Sequence, residues 1–171
     1  VTWRVVSDAA RLLKEGELVV FGSAALAYWL GAPPASRDVD VWCVPAERGD
    51  ILEAVMGELS WYHEKHGTHV EVWGPETFKA PPGWRARAKR ITLEAAPGVT
   101  VVAAHPHDVL VAKLERMDPK DAEHQRLILE QLPLSAARLD ELLAEFPVGA
   151  RDAEREARFQ VNLAALRARL G

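Results

Sequence analysis

Cysteine is almost missing from this chain: Cys43 stands alone among 171 residues. One thiol excludes an intramolecular disulfide and any multi-cysteine metal site, and its place in an apolar run reads as inert core. Long apolar runs are missing as well. Nothing approaches the roughly 18 consecutive apolar residues of a membrane span. The opening segment VTWRVVSDAARLLKEG lacks the apolar stretch of a signal peptide, so the expectation is a cytoplasmic protein with no membrane partner. Positive charge is not in excess either. A net charge of −4 argues against nucleic-acid binding through the whole surface, although it allows a local basic patch. Internal repeats and low-complexity segments are absent.

What remains is an ordinary globular composition, long enough for one domain with a core, or one domain and a helical extension. SDAARLLKEG reads as a helix capped by Ser7 and ending at Gly16, ELVVFG as a buried strand, and SAALAYWLG as a short helix capped by Ser23 and stopped by Gly31. APPAS is a loop, since Pro33 and Pro34 cannot continue a helix. RDVDVWCV is the next strand and ERGDILEAVMGEL the next helix; THVEVWG, WRARAKRITLEA and GVTVVAA follow as strands. From Pro106 onward the pattern is helical, punctuated by Pro119, Pro133 and Pro147. The expected class is therefore α/β (α+β), with an α/β core over 1–104 and a helical region over 105–171 packed on it.

Two aspartates interrupt the valine run of residues 38–44. Strand side chains alternate, so Asp38 and Asp40 share one face while Val39, Val41 and Cys43 share the other. With about 3.3 Å of rise per residue, the two Cα atoms lie roughly 6.6 Å apart. Carboxylates so spaced can lean toward one cation or straddle two, and oxygen-only ligands suit Mg²⁺ or Mn²⁺. Glu71, again an acid between two valines, completes a cluster of three if its strand lies beside the first. The plainer reading is a solvated strand face. Upstream, Gly22 and Ser23 stand at a strand-to-helix junction, where a glycine allows close backbone approach and helix amides can meet an anion.

An apolar strand ending in Gly-Ser, a short helix, an acid-apolar-acid strand and a later apolar-acid-apolar strand resemble the nucleotidyltransferase (polymerase beta-like) superfamily. PPGWRAR and HPHDVLVAKLERMDPKDAEH are similar to segments of its minimal bacterial branch, which includes AbiEii-type nucleotidyltransferase toxins. The resemblance covers about residues 17–130. It implies a small mixed sheet flanked by helices, with Asp38, Asp40 and Glu71 as catalytic metal ligands and Mg²⁺ or Mn²⁺ as cofactor. Gly22 and Ser23 would hold the triphosphate of an NTP, Lys113 would neutralise phosphate charge, and Asp121 matches an acid kept near the site. The implied reaction transfers a nucleoside monophosphate to an acceptor hydroxyl and releases pyrophosphate. Relatives often carry an arginine where Pro34 stands here, and Arg37 is the candidate to replace it.

Other features keep two readings. His63, His66 and His69 suggest zinc, but they miss the H-E-x-x-H spacing, and a solvated helix end or loop is the better reading. Lys113, in a helix apolar nearly all round, either snorkels to the surface or reaches a polar cleft. Arg85, Arg87 and Lys89 alternate onto one strand face, which suits a nucleic-acid backbone, a triphosphate or a charge-protected sheet edge; Trp84 beside them stacks on a base or packs. Phe159, Leu163, Leu166 and Leu170 form a stripe for packing onto the preceding helices, or a seam that would make a monomer a homodimer. Three functions follow. The first is an RNA or tRNA nucleotidyltransferase with toxin-like biology and a cognate antitoxin. The second modifies a small hydroxylated molecule such as an antibiotic, and the third is a non-catalytic nucleotide- or partner-binding module.

Overall fold

A computed structural model describes residues 2–31, 36–144, 146 and 151–170. The loop expected around Pro33 and Pro34, and the punctuation expected at Pro147, lie outside the described residues. The chain divides into two compact units, Val1–Phe78 with Arg85–His105, and Lys79–Trp84 with Pro106–Gly171.

The first unit is built on a five-stranded mixed sheet of order β3-β2-β1-β5-β4. Its strands are β1 (Gly16–Val20), β2 (Asp38–Val44), β3 (His69–Val72), β4 (Lys89–Leu93) and β5 (Ala96–Ala103). β1 runs antiparallel to β2 and parallel to β5, β2 runs parallel to β3, and β4 and β5 form an antiparallel pair. One sheet face carries Leu18, Val20, Val39, Val41, Cys43, Val70, Val99 and Val101 into the main apolar cluster. Against it lie α1 (Thr2–Leu13), α3 (Gly49–Met56) and α4 (Trp61–His66). Val5, Val6, Ala9, Ala10 and Leu13 of α1 recur at helical spacing and are all buried, which is why this helix settles on the sheet. Residues of opposite parity on β2 and β3, the three acids among them, therefore face away from that layer.

Three local expectations are corrected. α1 begins at Thr2, not at Ser7, because Val5 and Val6 extend its apolar stripe one turn upstream. α2 (Gly22–Leu30) has Phe21 at its cap position with no side-chain bond, so Ser23 lies within the first turn, buried. Gly31 does stop it, at φ +80°. Residues 84–95 are not one long strand: Gly83 turns at φ +74°, α5 (Trp84–Arg87) makes a single helical turn, and β4 starts only at Lys89. Arg85, Ala86 and Arg87 are all good helix formers, and alternating charge over so few residues does not distinguish a turn of helix from a strand. Arg85 and Lys89 consequently do not share a strand face.

The second unit is helical, with α6 (Pro106–Lys113), α7 (Pro119–Gln131), α8 (Ala136–Leu143) and α9 (Ala153–Leu170). Asp118 caps α7 by accepting the Asp121 backbone N–H at 2.9 Å, with Pro119 at the first helical position, and Ser135 caps α8. Phe159, Leu163 and Leu166 of the α9 stripe are buried, and Phe159 stacks on Phe146 at 5.6 Å, so the stripe packs within this unit. No helix among the described residues is long and apolar enough to cross a membrane.

Candidate active site

The parallel register of β2 and β3 sets Asp40 opposite Glu71 and Asp38 opposite His69. All three acids are half-buried, and one oxygen from each lies within 4.8 Å of the others. It is the one such group of potential ligands among the described residues. Three carboxylates this close repel one another, and a divalent cation relieves that repulsion. The donor set is oxygen only and hard, which fits Mg²⁺ or Mn²⁺ and not the nitrogen- and sulfur-rich surroundings of structural zinc.

Gly22 explains the tight approach of the β1–α2 junction to this cluster. Its φ is +62°, and a Cβ built there would run into the Asp40 carboxylate, so only glycine fits on both counts. Phe21 donates its backbone N–H to the Asp40 carbonyl at 3.2 Å, which ties the start of α2 to β2. Beyond the acids on the same side, Phe21, Trp42 and Phe78 form an aromatic cluster with ring centroids 5.1 to 6.2 Å apart. Arg37 precedes Asp38 and is exposed, and its carbonyl accepts the His69 backbone N–H at 2.8 Å.

Each acid has a side-chain donor, of which sequence reasoning misses Ser36 and Trp73 and weighs His69 only for zinc. Ser36 Oγ donates to Asp38, Trp73 Nε1 donates to Asp40 at 3.1 Å, and His69 Nε2 lies 3.4 Å from Glu71 Oε1. A signal for them exists in the sequence. Ser36, Asp38 and Asp40 are two residues apart, as are His69, Glu71 and Trp73, so strand alternation alone sets donors and acids on a common face.

The three histidines do not converge on one point: the His63 and His69 rings lie against each other at 4.7 Å, while His66 turns elsewhere. His66 pairs with Arg4 at 2.6 Å, His63 accepts the Leu59 N–H at 3.2 Å, and His69 faces Glu71. His63 and His66 belong to α4, whose Ser60 cap and left-handed Gly67 mark an ordinary helix end. Cys43 is buried in the core, and burial pushes its thiol up to about 11. Arg85 and Arg90 both pair with Glu17, at 2.9 and 2.6 Å. The Arg85 hydrogen bond is the main reason that Glu17 sits below the usual carboxylate range.

Lys113 and Asp121 come together in the second unit, both buried and hydrogen-bonded to each other. Lys113 thus neither snorkels nor stands alone. Burial works to raise the Asp121 pKa, but the Arg116 hydrogen bond at 2.7 Å and the Lys113 charge outweigh it, and the net shift is downward. One turn along α7, His124 is fully buried with neither ring nitrogen hydrogen-bonded. Burial, then the Lys113 charge, lowers its pKa to about 4.

Among protein-family models, one described as "Nucleotidyltransferase of unknown function (DUF6036)" matches residues 3–159. No curated protein and no solved structure matches the chain.

Proposed function

This chain belongs to that family of nucleotidyltransferases of unknown function, and on this premise we propose that it moves a nucleoside monophosphate from an NTP to an acceptor hydroxyl. The observation that carries the reading is the β2–β3 register, which gathers Asp38, Asp40 and Glu71 into one oxygen cluster against Gly22. Asp38 and Asp40 hold Mg²⁺ or Mn²⁺, with Glu71 as a further ligand or as the base. When bound, the cation offsets the negative charge that develops on the phosphoryl oxygens and acidifies the attacking hydroxyl. The acceptor oxygen forms a bond to the α-phosphorus, the bond from that phosphorus to pyrophosphate breaks, and the acceptor's proton passes to Glu71 as the base or, where Glu71 is a ligand, to solvent water. Gly22 and Ser23, at the start of α2, offer backbone N–H groups to the triphosphate. Lys113 and Asp121 enter from the superfamily resemblance alone; within the second unit they are each other's partners.

An RNA or tRNA acceptor, with a toxin-like role and a cognate antitoxin, is the finer form of this reading, and Arg37, Arg85 and Arg87 would meet its phosphates. One observation favours a second form. Arg85 and Arg90 are engaged by Glu17, which shrinks the basic patch and suits a small hydroxylated acceptor.

The test is an incubation of the protein with each α-labelled NTP, total RNA and Mg²⁺, beside the Asp38→Ala, Asp40→Ala double variant. Label is expected in RNA with the unaltered protein only. Nucleotide binding without label transfer in RNA would redirect the search to small acceptors, or to a non-catalytic binding module. In the metal-free state the double variant is expected to melt no lower than the unaltered chain, because like charges have been removed. A large loss of metal-free stability would make these acids structural.

A further inference from the structure

We infer that Trp73 is a positioning residue that holds the Asp40 carboxylate in the orientation a divalent cation requires. The inference rests on the cation site proposed above. Trp73 follows the last residue of β3, where its backbone N–H still bonds the Val41 carbonyl at 2.8 Å and so remains fastened to β2. From that anchor the indole N–H reaches across to Asp40 Oδ1 at 3.1 Å, a normal hydrogen-bond length. The other carboxylate oxygen, Oδ2, lies beside Gly22. The carboxylate is thus bounded by a donor at one oxygen and by backbone at the other.

Burial does not explain this tryptophan. It is 42% exposed, whereas Trp42 on the same side of the sheet is buried against Phe21 and Phe78. An indole left half in solvent with its N–H aimed at a ligand carboxylate resembles the outer partners that orient metal ligands. Removal of such partners typically costs 10- to 100-fold in metal affinity. Ser36 and His69 stand in the same relation to Asp38 and Glu71. Trp73 is the member whose donor is permanent, because an indole nitrogen can only donate.

The experiment measures Mn²⁺ affinity from the electron paramagnetic resonance signal of the free ion, with metal-free melting temperature alongside. It uses the full chain, Trp73→Phe, Trp73→His and the Asp38→Ala, Asp40→Ala variant. Trp73→Phe keeps an aromatic ring and loses the donor. Trp73→His returns a ring N–H to the same position, since imidazole has the outline of the indole's smaller ring. The expected result is Mn²⁺ binding by the unaltered chain, about 10- to 100-fold weaker binding by Trp73→Phe at unchanged metal-free stability, and recovery to within a few-fold in Trp73→His. Equal affinity in Trp73→Phe, or no recovery in Trp73→His, overturns the role of Trp73 and leaves the cation site standing. Unaltered chain and double aspartate variant binding Mn²⁺ equally would overturn the cation site, and this inference with it.

Discussion

At Gly22 two demands meet on one atom that is not there. The left-handed backbone disfavours any Cβ, and the Asp40 carboxylate occupies the space a Cβ would need. Gly22→Ala is therefore expected to lose roughly 1 to 2 kcal/mol from the backbone alone, read as a lower midpoint in urea. It should also weaken Mn²⁺ binding at least tenfold, because Asp40 must move. A variant that loses stability but keeps its Mn²⁺ affinity would show that Gly22 serves the turn and not the carboxylate. Ser23, its neighbour, looked like a helix cap in the sequence, and the cap position belongs instead to Phe21. The apolar run continuing from β1 hides this, since nothing in FGSAAL marks the residue at which strand becomes helix. The parity of the three acids was legible; the parity of their donors was equally so, but serine, histidine and tryptophan are common enough on strands that only the geometry makes them a set.

At the level of elements, β2 and β3 announced themselves through valines alternating with acids, and their valines do enter the core. Which strands are neighbours was not legible. β1, β2 and β5 are all valine-rich, and apolar content alone does not show that β5 lies between β1 and β4. The misread element is α5, where arginines two apart look alternate whether the backbone is extended or turned. In α7 the buried His124 makes a pH prediction. Its folded pKa of about 4 lies below the ordinary 6.5, so the unfolded chain binds the proton more tightly. Its contribution to stability is fully present above about pH 6.5 and is lost as pH falls toward 4, by on the order of 3 kcal/mol. Asp121, also lowered, adds a loss only at pH values below the ordinary carboxylate range. His124→Leu, which removes an unpartnered buried imidazole, is expected to flatten the profile between pH 6.5 and 4 in urea melts and to cost little at pH 7. An unchanged profile would place the titration elsewhere.

Taken whole, the molecule carries a net charge of −4, so any RNA acceptor must be met locally. With Arg85 and Arg90 held by Glu17, contacts from Arg37 and Lys89 predict a slope of log K against log salt of about −1.4 for single-stranded RNA. A slope of about −2.8 would mean that Arg85 and Arg90 also reach phosphate and have left Glu17. The position of β3 in the sheet has a different consequence. Among the described residues β3 is an edge strand of four residues with only β2 beside it, and edge strands are where a sheet opens first. Glu71 rides on that strand while Asp38 and Asp40 ride on the next, so a cation bound to all three cross-links the edge to the interior. Occupancy and fraying then become a single linked equilibrium. At a Mn²⁺ concentration 100 times its Kd, the amide hydrogens of His69 and Trp73, which bond to the Arg37 and Val41 carbonyls, are expected to exchange about 100-fold more slowly, equivalent to about 2.7 kcal/mol, and the same strand would be the first to loosen when a chelator strips the ion away.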